Sequence, residues 1–311
     1  MDVVKLAQEK LYKYGDFGYF LYKIIYWLSV LKYNIGTDKQ VTKRKYKRIY
    51  GKNLDLDNPQ TLNEKMLWLK LNEHRDIQTI LADKYTIRDY IRTNFGEKYL
   101  IPLLFETTDW KQIKMDVIPD EDCIIKASHT SGDYVIIRKG SSVDIEKLRF
   151  KCRAWLSRNY YFSSQEWQYK NSNRRIIIEK LLKDKNGFIP NDYKLHFLNG
   201  KLEFVYCSVG RETVNKRNIY DANWKPLYFS WVEGYKDSNS IRGEEISQPS
   251  SFALMKKFGE EIAKNFRYVR VDFYDVDGAL YFGEITFHHG SGFDVFHPSE
   301  YDLIYGKKLT L

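Results

Sequence analysis

The chain has 311 residues, of which 43% are hydrophobic, 16% aromatic and 29% charged. Such a composition can bury a large core, so it excludes a disordered, a collagen-like or a coiled-coil protein. The 50 Lys and Arg exceed the 41 Asp and Glu by nine, but the excess is local, and we expect no nucleic-acid partner. A chain of this length indicates two or three subdomains around a shared cleft.

Most of the positive charge lies in residues 1–50, which hold eleven Lys or Arg and four Asp or Glu. The run Gly18 to Leu31 is apolar and aromatic, and six of the ten residues from Lys39 to Arg48 are cationic. The apolar run is too short to cross a bilayer, and its surroundings do not form a signal peptide. We expect an aromatic helix beside a basic tract. Two roles stay open, namely reversible binding to an anionic membrane surface and packing against the core.

Helices are predicted for most of the first third of the chain. Thr61 and Glu64 form a capping box that opens one of them. A second helix is predicted over Asp76–Asn94. Apolar residues at helical spacing predict further helices over 144–160 and 252–266.

Short β-strands dominate the remainder of the chain. They are predicted at 99–105, 122–126, 134–138, 175–182, 193–198 and 201–209. Asn199-Gly200 predicts a hairpin between the last two strands, and Asp277-Gly278 predicts a final hairpin between VRVDFYD and ALYFGEITF. Clustered Ser, Gly and Asn residues predict a loop over 236–251.

Three cysteines, Cys123, Cys152 and Cys207, form no CxxC pair and are odd in number. This argues against a disulfide framework or a zinc site. We expect them to be small buried hydrophobic residues in a strand, a helix and a strand.

The final hairpin carries the clearest signal for chemistry. Alternation places Arg270, Asp272 and Tyr274 on one face of its first strand, and Glu284 with Thr286 on one face of the second. Carboxylates that face inward on neighbouring strands are costly unless a cation compensates them. Oxygen ligands from Asp272, Glu284 and Thr286 would suit Mg²⁺. A solvated sheet face with an Asp–Arg pair explains the same spacing equally well.

Three weaker signals lie earlier in the chain. Lys126 ends a strand before the small-residue loop Ser128–Gly132, whose N–H groups could hold phosphates, although an ordinary hairpin turn gives the same pattern. Glu179 stands near the end of the apolar strand IIIEKLLKD, which alone indicates a buried strand. Lys84 and Arg88 lie in the predicted second helix, where a surface charge pair is the ordinary explanation.

In this order the segments resemble the ATP-grasp superfamily, and more narrowly its TupA-like members from bacterial surface-polysaccharide loci. The resemblance spans about residue 42 to the end and rests on NPQTLNEKMLWLK, DKYTIRDY, KASHTSG, NDYKLHFLNGK and VRVDFYDVDGALYFGEITF. It implies an α+β fold in which two α+β subdomains clamp ATP, with a helical N-terminal region. The implied division is a basic aromatic segment 1–50, a helical part 51–120, a small subdomain 121–180 with the phosphate loop, and a large subdomain 181–311 with the metal-binding hairpin.

The resemblance also implies roles for individual residues. The parts that match the phosphate-binding lysines and the mobile loop over the triphosphate are Lys84, Lys126, Ser128, Ser131 and Gly132. The parts that match the adenine, ribose and phosphate side of the pocket are Glu179, Lys180, Leu181, Leu182, Asp192 and Lys194. The parts that match the two metal ligands and the cation that steadies the transferring phosphoryl group are Asp272, Glu284 and Arg270.

Some positions depart from the family pattern. Thr286 stands where most members have Asn, and Ser128 and Thr130 stand where the loop usually has Asn and Gly. His129 of that loop is a candidate base or phosphate contact, with a structural loop histidine as the alternative.

The chemistry implied is activation of a carboxylate with ATP and Mg²⁺. The γ-phosphoryl group moves to the carboxylate, and an amine then attacks the acyl phosphate to form an amide. Analogy with the TupA-like group implies an amino acid or similar amine joined to a uronic acid or glutamate unit of a polysaccharide precursor. We expect this reaction to take place in the cytoplasm. Peripheral binding of the protein to the inner face of the membrane stays open.

Two other functions stay open. Asp275-Val276-Asp277 is a DxD triplet, the element that holds a metal and a nucleotide sugar in many glycosyltransferases. The other alternative is a membrane-associated protein that binds nucleotide without turning it over.

Overall fold

A computed structural model describes residues 3–210, 212, 214–234 and 241–311. Its α-helices are α1 (Val3–Leu11), α2 (Gly15–Tyr33), α3 (Asp38–Tyr50), α4 (Leu62–Asn72), α5 (Asp76–Ala82), α6 (Ile87–Asn94), α7 (Ile145–Ser157), α8 (Tyr161–Ser164), α9 (Phe252–Ala263) and α10 (Glu300–Lys308). Its strands are β1 (Leu103–Thr107), β2 (Cys123–Ala127), β3 (Tyr134–Ile137), β4 (Ile176–Lys180), β5 (Asp192–Leu198), β6 (Lys201–Val209), β7 (Lys216–Asp221), β8 (Pro226–Leu227), β9 (Ser230–Val232), β10 (Tyr268–Val276), β11 (Ala279–Thr286) and β12 (Val295–His297).

Two antiparallel sheets organise the molecule. The small sheet has the strand order β1-β4-β2-β3, and the large sheet has the order β11-β10-β5-β6-β7-β8. Helix α7 packs on the small sheet through Leu148 and Trp155. Helix α9 packs on the large sheet through Met255 and Ile262. Each sheet therefore has its own core, because each needs a helix to cover an apolar face.

The final hairpin, β10 and β11, forms as predicted, but its register shifts between Asp272 and Phe273, where Gly283 is the extra residue of β11. Asp272 on β10 lies opposite Glu284 on β11 and opposite Lys194 on the other neighbour, β5. The turn residues Asp277 and Gly278 both have positive φ, 52° and 93°, which is typical of a tight two-residue hairpin. Residues opposite each other share a sheet face, so the register gathers three ionisable groups into one row.

The structure also contains the capping box predicted at the start of α4 and the predicted buried cysteines. The Thr61 side chain accepts from the backbone N–H of Glu64, and the Glu64 side chain accepts from that of Thr61, which completes the predicted capping box. Cys123, Cys152 and Cys207 are free and buried in β2, α7 and β6.

The predicted helix over Asp76–Asn94 is wrong, because the structure divides it into α5 and α6. Asp83 causes the break: its Oδ1 atom accepts the backbone N–H groups of Tyr85 and Thr86 at 2.9 and 3.0 Å. A short side chain that bonds nearby N–H groups favours a turn over a helix. Lys84 therefore stands in a turn and not on a helix face.

Several elements had no individual prediction, namely α1, α3, α8, α10, β7, β8, β9 and β12. Of the predicted loop 236–251, residues 236–240 lie outside the described residues. The small sheet takes its first strand, β1, from the end of the segment 51–120, where the strand 99–105 was predicted.

The aromatic helix α2 packs against the small subdomain with one face. Tyr22 and Tyr26 are buried and share a cluster with Phe150 and Ala154 of α7. The backbone N–H of Asn159 donates to the Tyr26 hydroxyl at 3.0 Å. Core packing, one of the two expected roles, therefore accounts for this face. No helix in the described part of the chain is long and apolar enough to span a membrane.

Candidate active site

A cleft of about 280 Å³ opens between the small and large sheets. Its ionisable lining consists of three lysines and three carboxylates, Lys84, Lys126, Lys194, Asp192, Asp272 and Glu284. Its apolar lining includes Ile124, Ile136, Leu181 and Leu182. The cleft therefore has an apolar wall beside a charged one, as a nucleotide pocket needs.

Lys84 reaches the cleft from the turn between α5 and α6. Its Nζ atom donates to the carbonyl oxygen of Thr130 at 2.7 Å and lies 3.4 Å from Oε2 of Glu284. Its backbone N–H donates to the carbonyl of Ser128. Lys84 thus connects the loop of the small sheet with the carboxylates of the large sheet.

The predicted phosphate loop, Ser128–Gly132, has an anchored half and an exposed half. The Ser128 hydroxyl donates to Oδ2 of Asp83 at 2.6 Å, and Ser128 is fully buried. Ser131 and Gly132 are exposed and line the cleft. Gly132 has a φ of +77°, a left-handed conformation that favours glycine. The structure therefore brings Ser131 and Gly132 to the cleft, whereas the Ser128 side chain serves as an anchor.

His129 is placed away from the cleft. It is buried, and its Nε2 atom lies 3.1 Å from the carbonyl oxygen of Trp155 on α7. Burial lowers the pKa of His129 to about 4, which keeps the ring neutral at physiological pH. The structure thus favours a structural loop histidine over a base or phosphate contact, because the ring is fixed behind the small sheet.

Lys126 is held by a buried ion-pair chain. Its Nζ atom donates to Oε2 of Glu179 at 2.7 Å, and Nη1 of Arg88 donates to Oε1 of the same carboxylate at 3.0 Å. Arg88 is buried and also donates to the carbonyl of Ile101 at 2.9 Å. The expected surface pairing of Arg88 is therefore wrong. Its place on the apolar Ile87–Ile91 face of α6 was the signal for burial.

The predicted adenine segment presents its two leucines to the cleft. Leu181 and Leu182 line it, whereas Lys180 is exposed. The backbone N–H groups of Lys180 and Leu181 already donate to the carbonyls of Pro102 and Asp122. The Glu179 side chain points to Lys126, so its role is to hold that lysine.

Arg270 binds both predicted metal-site carboxylates. Its Nε and Nη2 atoms donate to Oδ1 and Oδ2 of Asp272, each at 2.7 Å, and Nη2 also donates to Oε1 of Glu284 at 2.8 Å. Burial disfavours the charged guanidinium, but the two carboxylates outweigh it and raise the pKa of Arg270 above its usual range. Burial also acts against ionised Glu284, yet Lys84 and Arg270 lower its pKa to about 2.

Lys194 bridges two further carboxylates of the cleft. Its Nζ atom donates to Oδ2 of Asp272 at 2.8 Å and to Oδ2 of Asp192. Burial would lower the pKa of Lys194, but these two carboxylates raise it. The Oδ1 atom of Asp192 is buried without a hydrogen-bond partner, so an acceptor remains on this side of the cleft for a ligand hydroxyl.

The donor set for a metal is incomplete in the protein alone. No group of three or more His, Cys, Asp or Glu side chains within the described ranges could hold a metal ion. Asp272 and Glu284 lie side by side, and Thr286 lies two pairs further along, opposite Arg270. Two hard carboxylates with room for other oxygens fit Mg²⁺, which commonly takes the rest of its ligands from phosphates and water.

His289 supports Arg270 from behind, a role that was not predicted from the sequence. The Nη1 atom of Arg270 donates to Nδ1 of His289 at 2.8 Å, so the His289 proton must be on Nε2. That Nε2 atom lies 3.3 Å from Oδ2 of Asp294. Burial lowers the pKa of His289 although Asp294 acts against it. The paired histidines that follow the Glu284 strand were the available signal.

The two carboxylates of the DxD triplet have structural roles. Oδ2 of Asp275 accepts from the Ser251 hydroxyl at 2.5 Å, and Oδ1 accepts from the Gly278 N–H at 2.8 Å. Oδ2 of Asp277 accepts from the Lys185 N–H at 2.7 Å. These contacts close a turn and two loops. They therefore favour a structural role for the triplet over a metal–sugar site.

Known structures similar to this chain include two ligases and a synthetase. The D-alanine–D-alanine ligase from Bacillus anthracis is 14% identical over 72% of this chain and 57% of that chain, with a TM-score of 0.35. The ATP-grasp ligase PsnB with minimal precursor is 15% identical over 72% and 60%, with a TM-score of 0.38. The N5-carboxyaminoimidazole ribonucleotide synthetase is 12% identical over 72% and 50%, with a TM-score of 0.39. This chain thus spans only 50% to 60% of their lengths.

A search of curated protein sequences found no match. The family model described as TupA-like ATPgrasp matches residues 64–310. That range contains the cleft and both sheets. The fold is therefore an α+β ATP-grasp fold with a helical N-terminal region, and the chain belongs to the TupA-like ATP-grasp family.

Proposed function

We propose that this protein is an ATP-dependent carboxylate–amine ligase. The observation that carries the proposal is that Arg270 bonds both Asp272 and Glu284, two carboxylates of a cleft that Lys84 and Lys126 also line. Cations beside an inward pair of carboxylates suit a triphosphate with a divalent ion. Membership of the ATP-grasp family supports the same conclusion.

The proposal assigns parts of the cleft to ATP and Mg²⁺. Leu181 and Leu182 offer the apolar wall for adenine, and Asp192 offers an acceptor for a ribose hydroxyl. Asp272 and Glu284 would hold Mg²⁺, with Thr286 as a candidate third ligand. When bound, the ion would neutralise phosphate charge and align the phosphates.

The other residues of the cleft act on charge and water. Lys84, Lys126 and Lys194 would exchange their carboxylate partners for phosphate oxygens. Arg270 would stabilise the negative charge that develops during phosphoryl transfer, which is where catalysis of this reaction mainly lies. The exposed Ser131–Gly132 half of the loop would cover the phosphates and exclude water from the acyl phosphate.

The proposed reaction has two steps. A substrate carboxylate oxygen attacks the γ-phosphorus of ATP, which gives an acyl phosphate and releases ADP. An amine then attacks the carbonyl carbon, the amide bond forms, phosphate leaves and the amine loses a proton. We assign an amino acid or similar amine and a uronic acid or glutamate unit of a surface-polysaccharide precursor as substrates, by analogy with the family. Because such precursors are commonly lipid-linked, the proposed location is the cytoplasm, at the inner face of the membrane.

Nucleotide binding is tested first by thermal shift. A nonhydrolysable ATP analogue with Mg²⁺ should raise the melting temperature, because a ligand of the native state stabilises it by mass action. Lys126→Met should greatly reduce this shift. Lys139→Met, whose side chain is 65% exposed on a loop, is the matched control. An equal shift with UDP-sugars would instead favour a glycosyltransferase.

Turnover is tested by ADP release in a screen of carboxylates and amines. Uronic acids, glutamate peptides and polymer fragments are combined with amino acids, and the active pair should stimulate release in wild type but not in Glu284→Gln. A nucleotide-induced shift without any stimulated release across the screen would favour the binding protein that does not turn over.

A further inference from the structure

Helix α2 carries a stripe of exposed apolar side chains on the face turned away from α7. Phe17, Phe20, Ile24, Leu28 and Leu31 have exposed fractions of 65%, 59%, 42%, 60% and 65%. Their spacing of three or four residues places them on one helix face. We call these five residues the α2 stripe.

The α2 stripe is not an unfinished part of the core. The other face of α2 is already packed, since Tyr22 is fully buried and Tyr26 is 4% exposed. Contiguous apolar patches of this kind on a folded surface mark interaction sites. The stripe therefore needs an occupant outside the described part of the chain.

Positive charge lies immediately beyond the stripe. Lys32 lies in the last turn of α2, and α3 exposes five cations, Lys39, Lys43, Arg44, Lys47 and Arg48. None of these six side chains has a carboxylate within ion-pair distance among the residues that the structure describes. The Arg44 guanidinium donates to the carbonyl of Ile35, which ties the middle of α3 to the short connection after α2.

We propose that the α2 stripe and the exposed cations of α3 form a docking surface for an anionic lipid bilayer. The side chains of this surface identify the bilayer as the partner. A bilayer offers an apolar layer for the Phe and Leu side chains and negative headgroups for the Lys and Arg side chains. A second copy of the chain would bring the same uncompensated positive charge to the interface. The proposal specifies the surface for the membrane location given above, but its test needs no turnover.

The position of the α2 stripe determines which part of the enzyme would face the bilayer. Glu9 of α1 pairs with Lys147 and Lys151 of α7 at 2.7 and 2.5 Å, and Asp16 of α2 pairs with Arg153 at 2.5 Å. Helix α7 covers the sheet that carries Lys126 and the phosphate loop. The bilayer would therefore bind the back of the small subdomain and leave the cleft open on its other side.

The experiment is co-sedimentation of the full chain with vesicles. Wild type should bind phosphatidylglycerol vesicles, bind phosphatidylcholine vesicles at least tenfold more weakly, and lose binding as salt is raised. Phe20→Gln/Leu28→Gln/Leu31→Gln should weaken the partition at least tenfold. Leu303→Gln/Ile304→Gln is the matched control, because these residues of α10 are 41% and 45% exposed. Lys39→Gln/Lys43→Gln/Lys47→Gln should remove the preference for anionic lipid.

Three results would overturn the inference. The first is a wild type that ignores phosphatidylglycerol at low salt. The second is a stripe variant that binds as tightly as wild type or no more weakly than the α10 control. The third is a dimer in solution that the stripe variant dissociates without any vesicle binding. The nucleotide-induced thermal shift is measured on every variant. A normal shift with no lipid binding defeats this inference alone, and single Phe20→Gln and Leu31→Gln variants replace a triple variant that fails to fold.

Discussion

At the scale of single residues, His289 is expected to act through Arg270. Its Nδ1 atom accepts from the guanidinium, so it fixes the direction in which the remaining donors point. His289→Leu should lower kcat for stimulated ADP release at least tenfold, because a misdirected guanidinium stabilises the transferring charge less well. The KM for ATP should change little.

The conservative variant separates positioning from packing. His289→Asn keeps an acceptor near the place of Nδ1 and should recover most of the lost kcat, whereas Leu fills the space without an acceptor. A His289→Leu enzyme with normal kcat would show that Arg270 needs no such support.

Asp272 is expected to stabilise the protein before any ligand binds. Both of its oxygens are bonded to Arg270, and Oδ2 also accepts from Lys194. Asp272→Asn would leave two buried cations short of a partner, which costs about 3 kcal/mol of unfolding free energy. Glu284→Gln should cost less, because that side chain is 29% exposed. Urea denaturation of both variants in the absence of nucleotide measures which loss of stability is larger. An unchanged or raised stability of Asp272→Asn would contradict the prediction.

Asp302 predicts a pH dependence of stability. Burial raises its pKa from 3.8 to about 6, although Asn63 donates to it through its backbone and side chain. The folded state therefore holds this proton more tightly than the unfolded state, and stability falls as pH rises from about 4 to about 6. Asp302→Asn should be more stable than wild type above pH 6, by at most about 3 kcal/mol. Denaturation of both proteins at pH 4 and pH 7 tests this. An equal difference in unfolding free energy between variant and wild type at the two pH values would refute it.

At the scale of elements, the break between α5 and α6 is a device that presents Lys84. Asp83 accepts three hydrogen bonds, from the N–H groups of Tyr85 and Thr86 and from the Ser128 hydroxyl. Asp83→Ala should cost about 2 kcal/mol and weaken binding of an ATP analogue with Mg²⁺ several-fold, because Lys84 and the phosphate loop lose their common anchor. Asp89→Ala on the exposed face of α6 is the control. Calorimetry that finds equal affinities for the two variants would remove this role.

Elements whose geometry is local were predictable from the sequence. Period-two alternation and the Asp277-Gly278 turn predicted the hairpin and its alternating faces. They did not predict the register shift between Asp272 and Phe273, which brings Glu284 opposite Asp272 and onto its face. The break after α5 is made by local bonds of Asp83, but the bond of its second oxygen to Ser128, which is distant in the sequence, was not predictable. His129 shows the same limit, since its burial depends on the carbonyl of Trp155 on α7. Contacts of this kind exist only once the two sheets and their helices have packed.

At the scale of the whole molecule, the cleft and the exterior differ in charge. The lining holds three lysines and three carboxylates, and Arg270, which bonds two of these carboxylates, adds one positive charge, whereas the chain carries +9. Free ATP carries more negative charge than this small excess offsets, and ATP with Mg²⁺ carries much less. We expect the affinity for free ATP, measured with a chelator, to be at least tenfold weaker than that for the magnesium complex. Calorimetry that gives equal affinities would contradict this expectation.

The nearly balanced lining also bears on the rate of nucleotide entry. Each lysine must leave a carboxylate before it meets a phosphate, so entry is an exchange of counterions rather than capture by a distant field. An open basic cleft would draw nucleotide in quickly at low ionic strength and slowly at high ionic strength. Here the association rate constant should be nearly flat from 20 to 300 mM salt, roughly, because screening weakens the old pairs and the new ones alike.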